Sequence, residues 1–326
     1  MKDLIRKLVE TYGPSGFEDR IRATIRAEVE PLADEVRVTP LGSLVATRRG
    51  SGGQRIMLAA HMDEIGVMAT YVDEKGFLRF TGIGWVSPLT CLGGRVVFEN
   101  GVTGVIGVEK MDEFAKGPTL ELLYIDVGAT GREDCPVRVG DAAAFARPFA
   151  VQGRRLIAKA MDDRIGCAVL IETMRRLEAT PHEVHFVFSV QEETTLSGAR
   201  TAAYGIEPDL AIAVDVTRTG DTPESSHMAV RLGQGPAVKV QDGGMIAHPL
   251  VRERLVRAAE AAGVPYQLEV LEGGTTDAAV MQLVRAGVPA GCLSIPCRYV
   301  HTPSEMVDEQ DVEEAVRLMV EALKAP

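Results

Sequence analysis

Cysteine is scarce in this 326-residue chain, and its five copies (Cys91, Cys135, Cys167, Cys292, Cys297) are scattered, with no C-x-x-C pair among them. That pattern excludes a disulfide frame or a zinc knuckle and reads as free thiols in a reducing cytoplasm. No apolar run approaches the roughly 18 residues of a membrane span. No lysine or arginine block is present and the net charge is −11, so nucleic acid is not an expected partner. The first residues, MKDLIRKLVETYG, are amphipathic and lack a small-residue cleavage site, so they are not read as a secretory leader. Internal repeats and low-complexity segments are also missing. What remains is a globular composition, 46% hydrophobic and 25% charged. The length suggests more than one domain.

Apolar spacing predicts a helix over residues 1–12, stopped by Gly13-Pro14, and a second that ends before Pro31. Strand-like runs follow at 35–38, 43–47 and 56–60, the last apolar throughout, as in a strand buried on both faces. From about residue 67 to 152 the text changes to short β-like runs broken by glycine, which predicts an inserted β-rich unit. Strand–helix alternation then returns, with helices expected at 164–178, 250–261, 276–285 and 311–323 and strands at 183–190, 210–216 and 290–295. Such alternation predicts an open α/β sheet covered on both faces. Ligands bind such sheets at the carboxyl ends of the strands.

Acids and histidines cluster at those ends. His61-x-Asp63 follows the apolar run IMLAA, and alternation points the two side chains the same way. A metal-binding His61 oriented by Asp63 fits this pattern, and so does a loop histidine beside a solvated aspartate. Asp162-Asp163 precedes a helix. Capping accounts for one of the pair, and a carboxylate with two oxygens can bridge two cations, a role that favours Asp162. Glu192-Glu193 follows the buried strand HFVFSVQ, where adjacent acids repel unless cations or donors offset them. One of the two can bind metal while the other faces a water; the alternative, a solvated loop acid pair, is disfavoured by the T-T-L-S-G that follows. Asp215 ends the apolar run AIAV, and His301 stands in YVHTPSE. An uncompensated buried aspartate is costly, so Asp215 pairs with a cation or is exposed at the strand end.

Gly273-Gly274-Thr275-Thr276-Asp277 forms a glycine turn that opens a helix. Gly274, Thr275 and Asp277 are substrate-side candidates, the alternative being a helix cap at Thr275 or Thr276. Arg218, Lys239 and Arg298 are candidate contacts for an acidic substrate side chain, with surface or structural roles as the alternative. His182, His185, His227 and His248 read as structural.

The order H-x-D, D-D-R, E-E, D and H-T-P-S-E resembles the co-catalytic metallopeptidases. More narrowly it resembles the tetrahedral aminopeptidases, also labelled glutamyl aminopeptidase or cellulase M. The likeness runs from GPSGFE to HTPSEMV, nearly the whole chain. It implies a PepA-like three-layer α/β/α catalytic domain (1–66 and 153–326) interrupted by a β-rich dimerisation domain (67–152). It also implies a homo-oligomer, a dodecamer built from dimers with inward-facing sites. Two divalent ions per subunit, zinc or cobalt, are expected. Asp162 would bridge them, His61 and Asp215 would complete one site, and Glu193 and His301 the other. Glu192 would be the general base and Asp63 the carboxylate behind His61. The Asp162–Asp163 peptide is often cis in relatives.

The expected activity is therefore cytoplasmic removal of amino-terminal residues from peptides, by a water activated between metals and a glutamate base. Three rivals stand beside it. The same centre could serve a deacylase or amidase. A glycosidase would work with two carboxylates and no metal. A degenerate site would leave a shell-forming protein. Preference for acidic, basic or apolar amino-terminal residues is not legible.

Overall fold

The computed structural model describes residues 1–225 and 227–324. The chain opens with α1 (Lys2–Glu10) and α2 (Asp19–Val29), then β1 (Glu35–Val38), β2 (Leu44–Arg48) and β3 (Arg55–His61). Leu4, Ile5, Leu8 and Val9 form the buried stripe of α1, at the spacing an amphipathic helix requires. β3 is buried along all but its first residue. Ile56, Leu58 and Ala60 join one core layer, while Met57 and Ala59 join the opposite one. That alternation is the signature of a strand covered by helices on both faces.

Next come β4 (Gly66–Val72), β5 (Leu78–Ile83), α3 (Pro88–Cys91), β6 (Arg95–Phe98), β7 (Thr103–Val108), α4 (Met111–Lys116), β8 (Leu123–Asp126) and β9 (Ala142–Phe145). These six strands close on one another as a barrel, in the order β4-β5-β8-β7-β6-β9. The barrel has its own core, including Val67, Phe80, Phe98, Ile125 and Phe145.

The chain then returns to the first sheet with β10 (Ala150–Gln152), β11 (Arg155–Ala158), α5 (Met161–Arg176), β12 (Glu183–Ser189), α6 (Glu192–Thr195), α7 (Ser197–Ile206) and β13 (Leu210–Thr217). It finishes with β14 (Ala237–Gln241), α8 (Pro249–Ala262), β15 (Gln267–Val270), α9 (Ala278–Met281), β16 (Ala290–Arg298), β17 (Glu305–Asp308) and α10 (Glu309–Ala322). Among the described residues the sheet has eleven strands. Its centre, β12-β3-β13-β16, is parallel. Residues of α1, α2, α5, α8 and α10 cover one face, and residues of α7 and α9 the other. Gly166 lets α5 lie close on β13, because a Cβ there would stand 2.6 Å from the Val214 carbonyl oxygen.

One expected helix is much shorter than its apolar pattern suggests. Over 276–285 only Ala278–Met281 is α-helical. Arg285 is left-handed (φ 51°), and the Val288 amide turns back to the Gln282 carbonyl, so the chain leaves the helix for β16.

A buried arginine locks the amino terminus to the rest. Arg164, fully buried, donates to the carbonyls of Leu8 (2.8 Å), Thr11 (3.0 Å) and Gly13 (3.2 Å) and lies 3.4 Å from Glu64. Lys159 also pairs with Glu64, at 2.6 Å. Arg164→Met should cost about 3 kcal/mol of stability, because it strips donors from buried acceptors. A denaturant melt checks this, and a loss near zero would show that the lock is idle.

Candidate metal centre

The four central parallel strands deliver their carboxyl ends to one place. β3 ends at His61, β12 leads into Glu192 and Glu193, β13 carries Asp215 near its end, and β16 leads into His301. Asp162 enters from the first turn of α5, where the helix is not yet regular (φ −76°, ψ 106°), and its peptide bond to Asp163 is cis.

Left-handed residues that are not glycine mark three of these loops: Ala160 (φ 55°), Gln191 (φ 57°) and His301 itself (φ 64°). Each such conformation costs of order 1–3 kcal/mol and persists where its surroundings dictate it.

His61 Nε2 lies 3.0 Å from Asp162 Oδ1 and 4.0 Å from Asp215 Oδ1. His301 Nε2 lies 3.3 Å from Asp162 Oδ2 and 3.3 Å from Glu193 Oε2. Two groups of potential ligand atoms result, His61–Asp162–Asp215 and Asp162–Glu193–His301, each with its atoms within 4.8 Å of one another. Asp162 belongs to both. Glu192 belongs to neither, but its Oε2 stands 3.9 Å from His61 Nε2.

Asp63 sits behind this front, fully buried. Its two carboxylate oxygens accept the amide N–H groups of Glu192 (3.1 Å) and Glu193 (3.2 Å). His61 Nδ1 meets the Asp63 carbonyl at 3.2 Å, which leaves Nε2 facing Asp162 and Asp215. Glu18, from GPSGFE, accepts the Gln191 amide at 3.1 Å and so braces the same loop. Sequence reading assigned Glu18 no role. Its only signal was its place in a quoted motif.

Electrostatics set the requirement for cations. Burial pushes the carboxyls of Asp163, Glu192, Glu193 and Asp215 well above their ordinary range, and neighbouring acids add to it. Burial would lower His61, but the Glu192 charge and hydrogen bonds to Asp162 and Asp63 raise it. Burial also opposes ionisation of Asp162, yet bonds to His301 and His61 hold it low. Glu193 Oε1, Asp163 Oδ2 and His301 Nδ1 are buried without a hydrogen-bond partner. Converging carboxylates and imidazoles, among them Glu193 with one oxygen left unpartnered, make a donor set that fits divalent metal ions.

A cavity of about 460 Å³ opens over these groups, and Gly274 and Thr275 line it with Arg218. Asp277, expected beside them, is turned into the interior instead. It is 2% exposed, and its Oδ2 accepts from Ser189 Oγ. Of the three candidate cations, Lys239 is buried against Glu269 and Arg298 pairs with Asp221 at 2.7 Å. His185 bonds Thr47 and Glu183, and His248 caps α8.

Parallel-strand ends that gather buried acids and imidazoles under an open cavity define a metal-dependent hydrolase. The chain belongs to the M42 glutamyl aminopeptidase family, whose profile matches residues 42–318. It is similar to a protein of Acetivibrio thermocellus named "Putative aminopeptidase", with 49% identity over 99% of this chain and 98% of that one. Among solved structures it is similar to aminopeptidase APDkam598 from the archaeon Desulfurococcus kamchatkensis, with 42% identity, TM-score 0.96, and 99% and 94% of the two chains covered. It is also similar to the TET1 peptidase of Pyrococcus horikoshii, described as assembling into a tetrahedron or a large octahedral shell. There the identity is 31%, the TM-score 0.88, and 100% and 99% of the chains are covered. The fold is thus the PepA-like α/β/α arrangement, and the protein is a metal-dependent aminopeptidase. Among the described residues no helix is long and apolar enough to cross a membrane.

The raised acids make stability depend on pH. Asp277, ordinarily at 3.8, is pushed up to about 7, chiefly by burial. A raised acid stabilises the fold below its unfolded value, and that contribution is lost as pH climbs through the folded one. Asp63 and Asp162 act in the opposite sense, but the raised acids outnumber them. Metal-free protein should therefore melt lower at about pH 8 than at about pH 5.5. Added divalent ions should raise Tm more at the higher pH, because they displace protons. Melts with and without chelator test this, and a metal effect that shrinks toward pH 8 would refute it.

Proposed function

We propose that the protein binds two divalent ions per subunit, zinc or cobalt, and uses them to remove residues from the amino termini of peptides. The observation that carries this reading is the pair of ligand groups sharing Asp162, with Glu192 3.9 Å from His61 of one of them. Asp162 would be shared by both ions, His61 and Asp215 would help hold one, and Glu193 and His301 the other. When bound, the ions supply Lewis acidity toward a water and toward the scissile carbonyl. The mixed nitrogen and oxygen ligands do not choose between zinc and cobalt, since availability often decides.

Glu192 is the general base. Burial holds its carboxyl high, which makes the carboxylate a stronger proton acceptor near working pH. It takes the proton of the attacking water and passes it to the leaving amine. Asp63 keeps Glu192 and Glu193 in place through their amides and fixes the His61 ring. Gly274 and Thr275, on the cavity wall, face the substrate. The free amino terminus is held by the acids of the site, which limits cutting to one residue at a time.

The barrel is read as a dimerisation domain (67–152) set into a catalytic domain formed by 1–66 and 153–326, with β10 at the seam. Dimers then build a dodecamer, a reading supported by the tetrahedral assembly of the similar TET1 peptidase. Five free cysteines suit the cytoplasm.

Glu192→Gln should retain metal while kcat falls by about 100-fold or more. Metal analysis beside an aminoacyl-anilide assay checks it, and normal turnover would remove Glu192 as base. Aminoacyl-anilides should be cut and N-acyl amino acids spared, whereas the reverse preference would make the enzyme a deacylase. Light scattering should give a mass twelve times the chain's 35.1 kDa. A dimer mass would remove the shell.

A further inference from the structure

We propose that Glu305 is a positioning residue that clamps two ligands, Asp162 and His301, in register through their backbone amides. The inference rests on the two-ion reading above. Glu305 is 1% exposed and opens β17. Its Oε2 accepts the Asp162 N–H at 3.0 Å and its Oε1 accepts the His301 N–H at 2.8 Å. Both oxygens of one carboxylate are thus committed to main-chain donors from distant parts of the sequence.

Topology explains why this position can reach both. β17 lies between β11 and β16, antiparallel to each. Ala158, the register partner of Glu305, ends β11 just before the loop to Asp162. β16 ends at Arg298, just before His301. The first residue of β17 therefore sits where the two ligand loops leave the sheet. Neither loop is held by regular structure there: Ala160 and His301 are both left-handed. The carboxylate supplies the acceptors the sheet no longer provides, and it fixes the 3.3 Å approach of His301 Nε2 to Asp162 Oδ2.

The clamp acts unequally on the two ligand groups. Asp162–Glu193–His301 has two of its three members on it, whereas His61–Asp162–Asp215 has one. Glu305→Gln keeps the volume but turns one acceptor into a donor facing an N–H. Glu305→Asp keeps the carboxyl group but is one methylene too short to reach both amides.

Metal-free wild type, Glu305→Gln and Glu305→Asp are titrated with Co²⁺, bound metal being counted by equilibrium dialysis. Trp85, the chain's one tryptophan, reports on the His301 side by fluorescence quenching, since the two rings stand 5.9 Å apart. Thermal melts of the metal-free proteins check folding. Wild type should take two ions. Both variants should fold, keep the first ion, and bind the second at least tenfold more weakly, with Trp85 quenching displaced to higher cobalt. Titrations that superimpose on wild type would overturn the clamp, as would equal weakening of both ions. If neither variant folds, Glu305 serves the fold and the proposal falls. If wild type itself takes fewer than two ions, the failure belongs to the two-ion reading.

Discussion

The centre is governed by repulsion among carboxylates packed into one buried place. Asp162, Glu192, Glu193 and Asp215 converge from a helix start and two strand ends. A cavity opens over them, yet burial leaves most of these groups resistant to ionisation. Asp162, and Asp63 behind it, are instead held low by imidazole and amide partners. Stability alone does not explain such a set, because apolar residues in its place often serve as well or better. The cost is intelligible if cations complete the set.

Holding the acids against their repulsion takes support in depth. Asp63 ties the amides of both glutamates, and Glu18 ties the residue before them. One residue beyond Asp63, Glu64 joins Lys159, Arg164 and the Gly13 amide in a buried network. That network reaches α1 through Arg164, so the amino terminus bears on the loop that carries Asp162. The barrel reaches the centre as well. Gly84 lies against Glu193, where a Cβ would come within 3.1 Å of Oε2, and Trp85 packs on His301.

Much of this was legible in the sequence. The apolar run before His61 announced a strand buried on both faces, and the acid and histidine motifs fell at or shortly after expected strand ends, save Asp162-Asp163, which opens a helix. Their convergence in space was expected from the resemblance and is what the geometry shows. Other features were hidden for physical reasons. β15 carries a buried acid, Glu269, whose partner Lys239 lies on another strand, so its polarity disguised it. α7 was missed because its buried face is alanine and glycine up to its last residue, Ile206, which gives a weak apolar period. Asp277 looked like a lip residue because turn glycines precede it, and only the fold shows Ser189 beneath it. Glu305 looked like the polar end of a motif, and its partners are amides that no side-chain pattern can reveal.

Anomalous diffraction from crystals grown with cobalt tests the central claim most directly. The account predicts two peaks in each subunit, one among His61, Asp162 and Asp215 and the other among Asp162, Glu193 and His301, with Asp162 touching both. A single peak, or metal held away from Asp162, would contradict it.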